Sequence, residues 1–420
     1  MKSKIVTGIA VILFSFGCSG SDHPTEKVTP TEGAPASANN SADTTKAPVE
    51  TKNANTNYKP AHSGQTRIAG VKTTTPYKFE KIATNLGKPW AVIPLPDGRL
   101  LINDKSGYMQ IYDANGTMIK KITGIPEVDA SGQGGLLDVA LDPDFSKNKM
   151  IYWSFSEKQG DQNLMAVAKG KLDEAQSIVQ NPVVIFRATP TLRSNAHYGS
   201  RLIFDKDGNL FVSTGERSVR EGRKQSQWLN SGLGKIFKIT KDGKPAPGNP
   251  FIGNKDAMPE IYAYGIRNAQ SLDIHPTTGE LWEAEFGPRG GDELNLIKAG
   301  KNYGWPIITY GVEYNGPPQI GDGIQQKEGM EQPVYYWDPV LSPSGMVFYR
   351  GNTIPEWKNN LFICGLSSTH IARLVIENNK VVGEERILAD LGERFRDVAY
   401  LNGMLYVVTE GGNLYKISKK

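Results

Sequence analysis

Cysteine is nearly absent from this 420-residue chain, with Cys18 and Cys364 the only two. Two are too few for a disulfide framework, so the fold must hold by burial and hydrogen bonding. Charge of one sign is also missing. The 48 Lys and Arg stand against 44 Asp and Glu, a net +4. No basic stripe interleaves with aromatics, which argues against a nucleic-acid partner. The apolar run IVTGIAVILFSFG at 5–17 is shorter than the ~20 residues a comfortable membrane span requires. Histidine is scarce enough to weigh singly: His23, His62, His197, His275 and His370 are the whole set.

What the chain has instead is 45 glycines, 26 prolines, 17 Tyr, 14 Phe and 7 Trp, a composition for many short strands and turns rather than long helices. Lys2 and Lys4, the apolar run and then Gly17-Cys18 predict an export signal over 1–18. A small residue before the cysteine resembles a bacterial lipoprotein signal, although Ser15 stands where leucine is more usual. The alternative is an ordinary cleaved signal with an incidental cysteine. Residues 19–65 are Thr, Pro, Ala, Asn, Ser and Lys with almost no large apolar side chains, which predicts a flexible tether. Residues 66–420 then form one domain.

Within that domain a loose repeat recurs. VIPLPDGRLLINDKSGYMQIYD, LIFDKDGNLFVSTGER, LDIHPTTGELWEAEFG and VAYLNGMLYVVTEGGNLYKI share a strand, a tight glycine turn, and a strand ending in small or polar residues. DPDFSKNKMIYWSF and IPEWKNNLFICGL vary the plan with a longer turn. Six units that cannot bury their faces alone predict an all-β fold, a six-bladed β-propeller of four-stranded antiparallel sheets, over a β-sandwich or β-helix.

The richest stretch is Glu260–Pro306. IYAYGIRN reads as a strand ending in Arg267-Asn268, and GPRGGDE follows two strands later. Gly287, Gly290 and Gly291 let the backbone curl there, beside Asp292 and Glu293. Such an oxygen-rich loop suits a hard cation such as calcium, but a glycine-rich hairpin with surface charges would read the same way.

YGIRN, GPRGGDE and GKNYGWP together resemble the glucose/sorbosone dehydrogenase family, the soluble quinoproteins that use pyrroloquinoline quinone (PQQ), and most closely the aldose sugar dehydrogenase branch. The likeness runs from about Thr84 to the C-terminus. It implies a propeller that oxidises the anomeric carbon of aldoses to lactones, with PQQ and Ca2+ as cofactors and an external cytochrome or quinone as electron acceptor. His197, Gly199 and Arg201 match the family's H-x-G-x-R, making His197 the base. Ala196 stands where the glucose dehydrogenase branch has an aspartate, so an orienting carboxylate is missing or comes from elsewhere. The resemblance also implies that Gln133, Arg267, Asn268, Trp337, Arg394 and Arg396 contact the cofactor or sugar, with Arg267 steadying the developing oxyanion. By the same likeness, Gly287 and Pro288 carbonyls hold a catalytic calcium, and Glu293 and Tyr303 a structural one.

One departure stands out. The family's lysine near Ser367 is absent, no lysine occurring between Lys358 and Lys380, which leaves His370 as a candidate substitute. The second reading is therefore a non-catalytic tethered propeller that binds a glycan or protein. A metal-dependent lactonase ranks last, because the axial cluster of carboxylate and Asn side chains it needs cannot be assembled from the sequence. The signal and tether imply an exported protein, periplasmic or on the cell surface, touching the membrane only through a lipid on Cys18.

Overall fold

Each repeat unit supplies part of one four-stranded antiparallel sheet, and six such sheets make up the strand content of the described residues. The computed structural model describes residues 46–420; the expected signal and the first part of the tether lie outside them. Blade 1 spans 89–122, blade 2 136–187, blade 3 199–264, blade 4 269–337 and blade 5 343–387. Blade 6 takes Phe395–Leu401, Met404–Thr409 and Leu414–Lys419 from the C-terminus. Its outermost strand is Tyr77–Ala83, paired antiparallel with Tyr77 opposite Lys419. Sharing one blade between the two ends of the domain closes the ring and leaves no seam to open.

The innermost strands touch in cyclic order around the axis. Aspartates in alternate blades staple them. Asp138 accepts from Leu202 N at 2.8 Å, Asp273 from Phe348 N at 2.7 Å and Asp397 from Val92 N at 2.8 Å. Each satisfies a buried amide that the ring geometry leaves without a ladder partner. Asp138 and Asp397 also flank the Arg201 guanidinium at 3.2 and 3.1 Å, which lies 4.3 Å from the Trp90 ring centroid. This plug divides the axial channel. Gly345 packs against it so closely that a Cβ there would sit 1.6 Å from Asp397 Oδ1. Apolar cores fill the wedges between blades, with Trp153, Trp282 and Trp357 fully buried. Among the described residues no helix is long and apolar enough to cross a membrane.

The tether expectation needs correction from residue 46 onward, because 46–65 lie along blades 4 and 5 as a strap. Asp338 accepts from Asn55 N at 2.7 Å and from Thr56 N at 3.1 Å. Arg67 donates to the carbonyls of Glu50, Lys52 and Asp338, and Glu50 pairs with Arg386 at 2.6 Å. Gln65 is fully buried, its amide on Pro333 O. Hydrogen bonds to chain-distant partners order this polar segment, and composition alone does not report them.

Candidate active site

A cavity of about 410 Å³ opens on the axis at the N-terminal ends of the innermost strands, walled by Trp90, Leu137, Ser200 and Gln270 from four of them. His197 lines it, on the approach to the first strand of blade 3. The backbone of His197 is left-handed, with φ of 50°, a conformation rarely adopted by non-glycine residues and held only by strong surroundings. Those surroundings are visible: Gln133 Oε1 accepts from His197 N at 2.8 Å, and His197 O accepts from Arg217 N at 3.2 Å. The Arg217 guanidinium is buried against Tyr198 and donates to the carbonyls of Ser194 and Ala196. Gly199 is required nearby, since at φ 68° a Cβ would come within 2.5 Å of the Thr214 backbone.

The orienting carboxylate is Glu216. Its Oε1 lies 2.7 Å from His197 Nδ1, with both side chains buried. A carboxylate acceptor there makes Nδ1 the proton-bearing nitrogen and leaves the Nε2 lone pair free. Burial, then the Arg267 charge, hold the imidazole below its usual pKa, against the opposing pull of Glu216. A neutral, oriented imidazole at a polar cavity is a general base in waiting.

Gln133, His197, Arg267, Arg394 and Arg396 all line this cavity, so five of the residues expected to act on the cofactor or sugar converge. Arg394 and Arg396 both pair with Glu410, the first at 2.5 Å. Arg267 Nη1 donates to the carbonyls of Phe286 at 2.9 Å and Gly287 at 2.6 Å. Asn268 is fully buried behind the wall, where its Oδ1 accepts from Gly199 N at 3.0 Å; Gln270 reaches the cavity instead. Trp337, expected beside the ligand, is buried between blades 4 and 5, its ring 5.1 Å from Tyr335. Alternation along 335–337 turns both rings to the core, and Trp90 supplies the cavity's indole. Ser367 lines the cavity with its hydroxyl 2.9 Å from that of Ser342. His370 does not substitute there. It is buried with Nδ1 on Ser368 O, and burial pushes its pKa down to about 4. Sequence reasoning missed Trp90, Lys105, Glu216 and Glu410; of these, Glu216 and Glu410 carry a readable signal, an acid at or just after the end of a unit's second strand.

The metal expectations separate into two groups. Gly287 lines the cavity, but its carbonyl is engaged by Arg267 here, and Pro288 lines a smaller pocket behind it with Glu285, Glu293 and Tyr303. The Tyr303 hydroxyl donates to Leu296 O at 2.7 Å, so any ligation by Tyr303 would come from its carbonyl. Behind this pocket Glu283 and Glu285 face Asn295 and Glu293 across two paired strands. Burial, then repulsion from Glu285, push the Glu283 and Glu293 carboxyls well up. Asn295 Nδ2 is the shared donor, at 3.1, 3.4 and 3.5 Å, and Glu283 Oε1 has no partner. Such a set fits a hard cation better than it fits itself. Among the described residues no group of three or more acidic, His or Cys side chains is placed to hold a metal ion by itself, so a cation here would need backbone carbonyls as ligands.

A six-bladed propeller with a carboxylate-held imidazole facing an arginine wall on its axis defines the class of protein. The chain belongs to the Glucose / Sorbosone dehydrogenase family, which residues 86–416 match. It is 39% identical over 349 residues to the aldose sugar dehydrogenase YliI of Escherichia coli (strain K12), covering 81% of this chain and 92% of that protein. The crystal structure of the soluble aldose sugar dehydrogenase from Escherichia coli in the apo-form aligns with a TM-score of 0.77 at 38% identity, over 82% of this chain and 100% of that one. The PQQ-bound form of aldose sugar dehydrogenase from Streptomyces coelicolor aligns with a TM-score of 0.67 at 29% identity, over 83% and 99%.

Proposed function

We propose that this chain is a PQQ-dependent aldose dehydrogenase that oxidises the anomeric carbon of an aldose to the lactone. The observation that carries this reading is the His197–Glu216 pair opening onto a cavity whose walls are rich in arginine. PQQ when bound supplies an ortho-quinone that accepts hydride, and a calcium ion beside it would supply Lewis acidity. The chain's own residues do the rest. His197 Nε2 takes the proton of the anomeric hydroxyl as hydride leaves carbon, so the sugar loses two electrons and two hydrogens. Glu216 holds the ring and stabilises the imidazolium that forms, and Gln133 fixes the backbone at His197. Arg267 faces the position where negative charge develops. Arg394 and Arg396 would exchange part of their contact with Glu410 for cofactor carboxylates. Electrons then leave to an external cytochrome or quinone.

Glu293 and the Tyr303 carbonyl, with Glu285 and Glu283 behind them, are the residues that would hold a structural calcium. The Gly287 and Pro288 carbonyls would hold a catalytic one, the Gly287 oxygen sharing its second lone pair beside the Arg267 contact. Export with a lipid on Cys18 belongs to the same proposal; labelled fatty acid should enter the full-length chain and be lost in Cys18→Ser. The lactonase reading is disfavoured by the axis itself, where Asp138 and Asp397 are committed to Arg201 and Asp273 to Arg350.

The test is dye-linked oxidation of a panel of aldoses by residues 46–420 with calcium, with and without PQQ. Activity confined to the PQQ samples is expected. No turnover and no PQQ uptake by calorimetry would leave the non-catalytic propeller.

A further inference from the structure

Five cationic side chains line the axial cavity: Lys105, Arg223, Arg267, Arg394 and Arg396. Three are matched by carboxylates. Arg223 pairs with Glu313, and Arg394 and Arg396 share Glu410. The cavity's remaining acid, Asp292, is spent on three backbone amides, those of Gly287, Leu341 and Ser342. Arg267 rests on carbonyls. Lys105 has one contact, from Nζ to Gly132 O at 2.7 Å, and no carboxylate within ion-pair distance among the described residues. An ammonium carries three donors, so two remain for a ligand.

The backbone around Lys105 is fixed on several sides, which sets where its side chain enters the cavity. Lys105 sits in the turn between Leu100–Asp104 and Tyr108–Tyr112 of blade 1. Its N–H donates to Lys88 O at 3.0 Å, and its carbonyl accepts from Leu136 N at 3.1 Å. Gly135 lies so close that a Cβ there would meet Lys105 O at 2.3 Å. The contact to Gly132 joins the side chain to the loop whose next residue, Gln133, holds His197 N. Burial, then the like charge of Arg396, act against the ammonium, and the more distant Glu410 and Asp104 carboxylates offset them in part; an anion held directly between the two cations would relieve the rest.

We propose that Lys105 is a cofactor-binding residue, its ammonium and the Arg396 guanidinium taking one carboxylate of the quinone cofactor between them. This rests on the PQQ reading and extends it. The lysine enters from blade 1, two blades round the ring from the blade-5 segment where Ser367 carries only a hydroxyl. The same contact couples cofactor occupancy to the Gln133 loop, so a bound carboxylate steadies the segment that presents His197.

The test is PQQ titration by calorimetry and by the quinone absorbance, on wild type, Lys105→Gln and Lys105→Arg, each first checked for an unchanged thermal midpoint. Lys105→Gln keeps a donor without the charge. Its affinity should fall tens-fold, the scale of a charge-assisted contact in a partly dry site, and Lys105→Arg should recover most of it. The wild-type affinity should also weaken more steeply with salt than that of Lys105→Gln. Lys105→Gln binding within two-fold of wild type, with wild type binding well, would overturn the assignment to Lys105 alone. Wild type that takes up no PQQ would instead remove the reading beneath it.

Discussion

Glu216 Oε1 stands 2.7 Å from His197 Nδ1, with both groups out of water. The two come from the same blade, His197 just before its first strand and Glu216 just after its second. Their relative position is therefore set by one hairpin rather than by the packing of distant blades. That hairpin fixes the tautomer, and the tautomer decides which nitrogen can accept a proton.

Glu216→Gln should keep the fold and the cavity but lower kcat by roughly 10²-fold, within the range for a mispositioned general base. An amide can offer its NH2 to Nδ1 and so favour the wrong tautomer. Steady-state kinetics with saturating PQQ measure this. A kcat within three-fold of wild type would show that Glu216 does not orient the base.

The pH profile follows from the same pair. The imidazole works in its neutral form, and its pKa lies below the usual value because of burial and Arg267. Activity should therefore be flat above pH ~6.5 and fall only at lower pH, as His197 protonates. In Glu216→Gln the raising influence of the carboxylate is lost, so this acid limb should move lower still while the plateau drops. A limb at or above neutrality in the wild type would contradict the assignment.

His370 sets a stability limb instead. Its folded pKa is depressed to about 4 by burial, so the unfolded chain binds a proton that the folded one refuses. Stability is fully present above the unfolded value near 6.5 and is lost as pH falls toward 4, by on the order of 3 kcal/mol. His370→Gln should flatten denaturant midpoints between pH 6.5 and 4. An unchanged slope would mean that other groups govern the acid side.

The strap makes a separate prediction. Removing the Asp338 carboxylate in Asp338→Ala strands the amides of Asn55 and Thr56 and the Thr56 hydroxyl. That should cost about 1–3 kcal/mol and open 46–65 to protease while the propeller stays intact. Wild type and variant cut equally fast would show that the strap is not held there.

Lys235 is fully buried, with its ammonium on the carbonyls of Gln225, Ser226 and Leu233 at 2.6–3.0 Å. The carbonyls of Gln225 and Ser226 end the helix Arg220–Gln225, whose Arg223 reaches the cavity lip. Lys235→Met would leave them unpaired in the interior, a loss of roughly 2–4 kcal/mol, seen as a lower denaturation midpoint.

The propeller was legible because each unit repeats a strand, a glycine turn and a strand, and six such units admit few closed arrangements. His197, Gln133, Arg267, Arg394 and Arg396 were legible through motifs near blade starts, where a propeller places its axial face. Glu216 was present in the repeat itself: LLIND, FVSTGE, LWEAE and LYVVTE each bring an acid to the end of a second strand. Asp104, Glu216, Glu285 and Glu410 are those acids, and the last three contact His197, Arg267 N and the arginine pair. Trp337 was not legible, since alternation tells that neighbouring side chains oppose one another but not which of them faces the axis. The strap escaped notice because its order comes from Asp338, Arg67 and Arg386, which are distant in sequence or buried in a polar composition.

The most direct measurement is rapid-mixing reduction of the bound quinone by an excess of aldose, without any electron acceptor, in wild type and His197→Ala. Both proteins should bind PQQ with similar affinity. Wild type should lose the quinone absorbance in a single fast phase, while His197→Ala should do so at least ~10²-fold more slowly. Reduction at the wild-type rate in His197→Ala would contradict the account, because the base at its centre would then be dispensable.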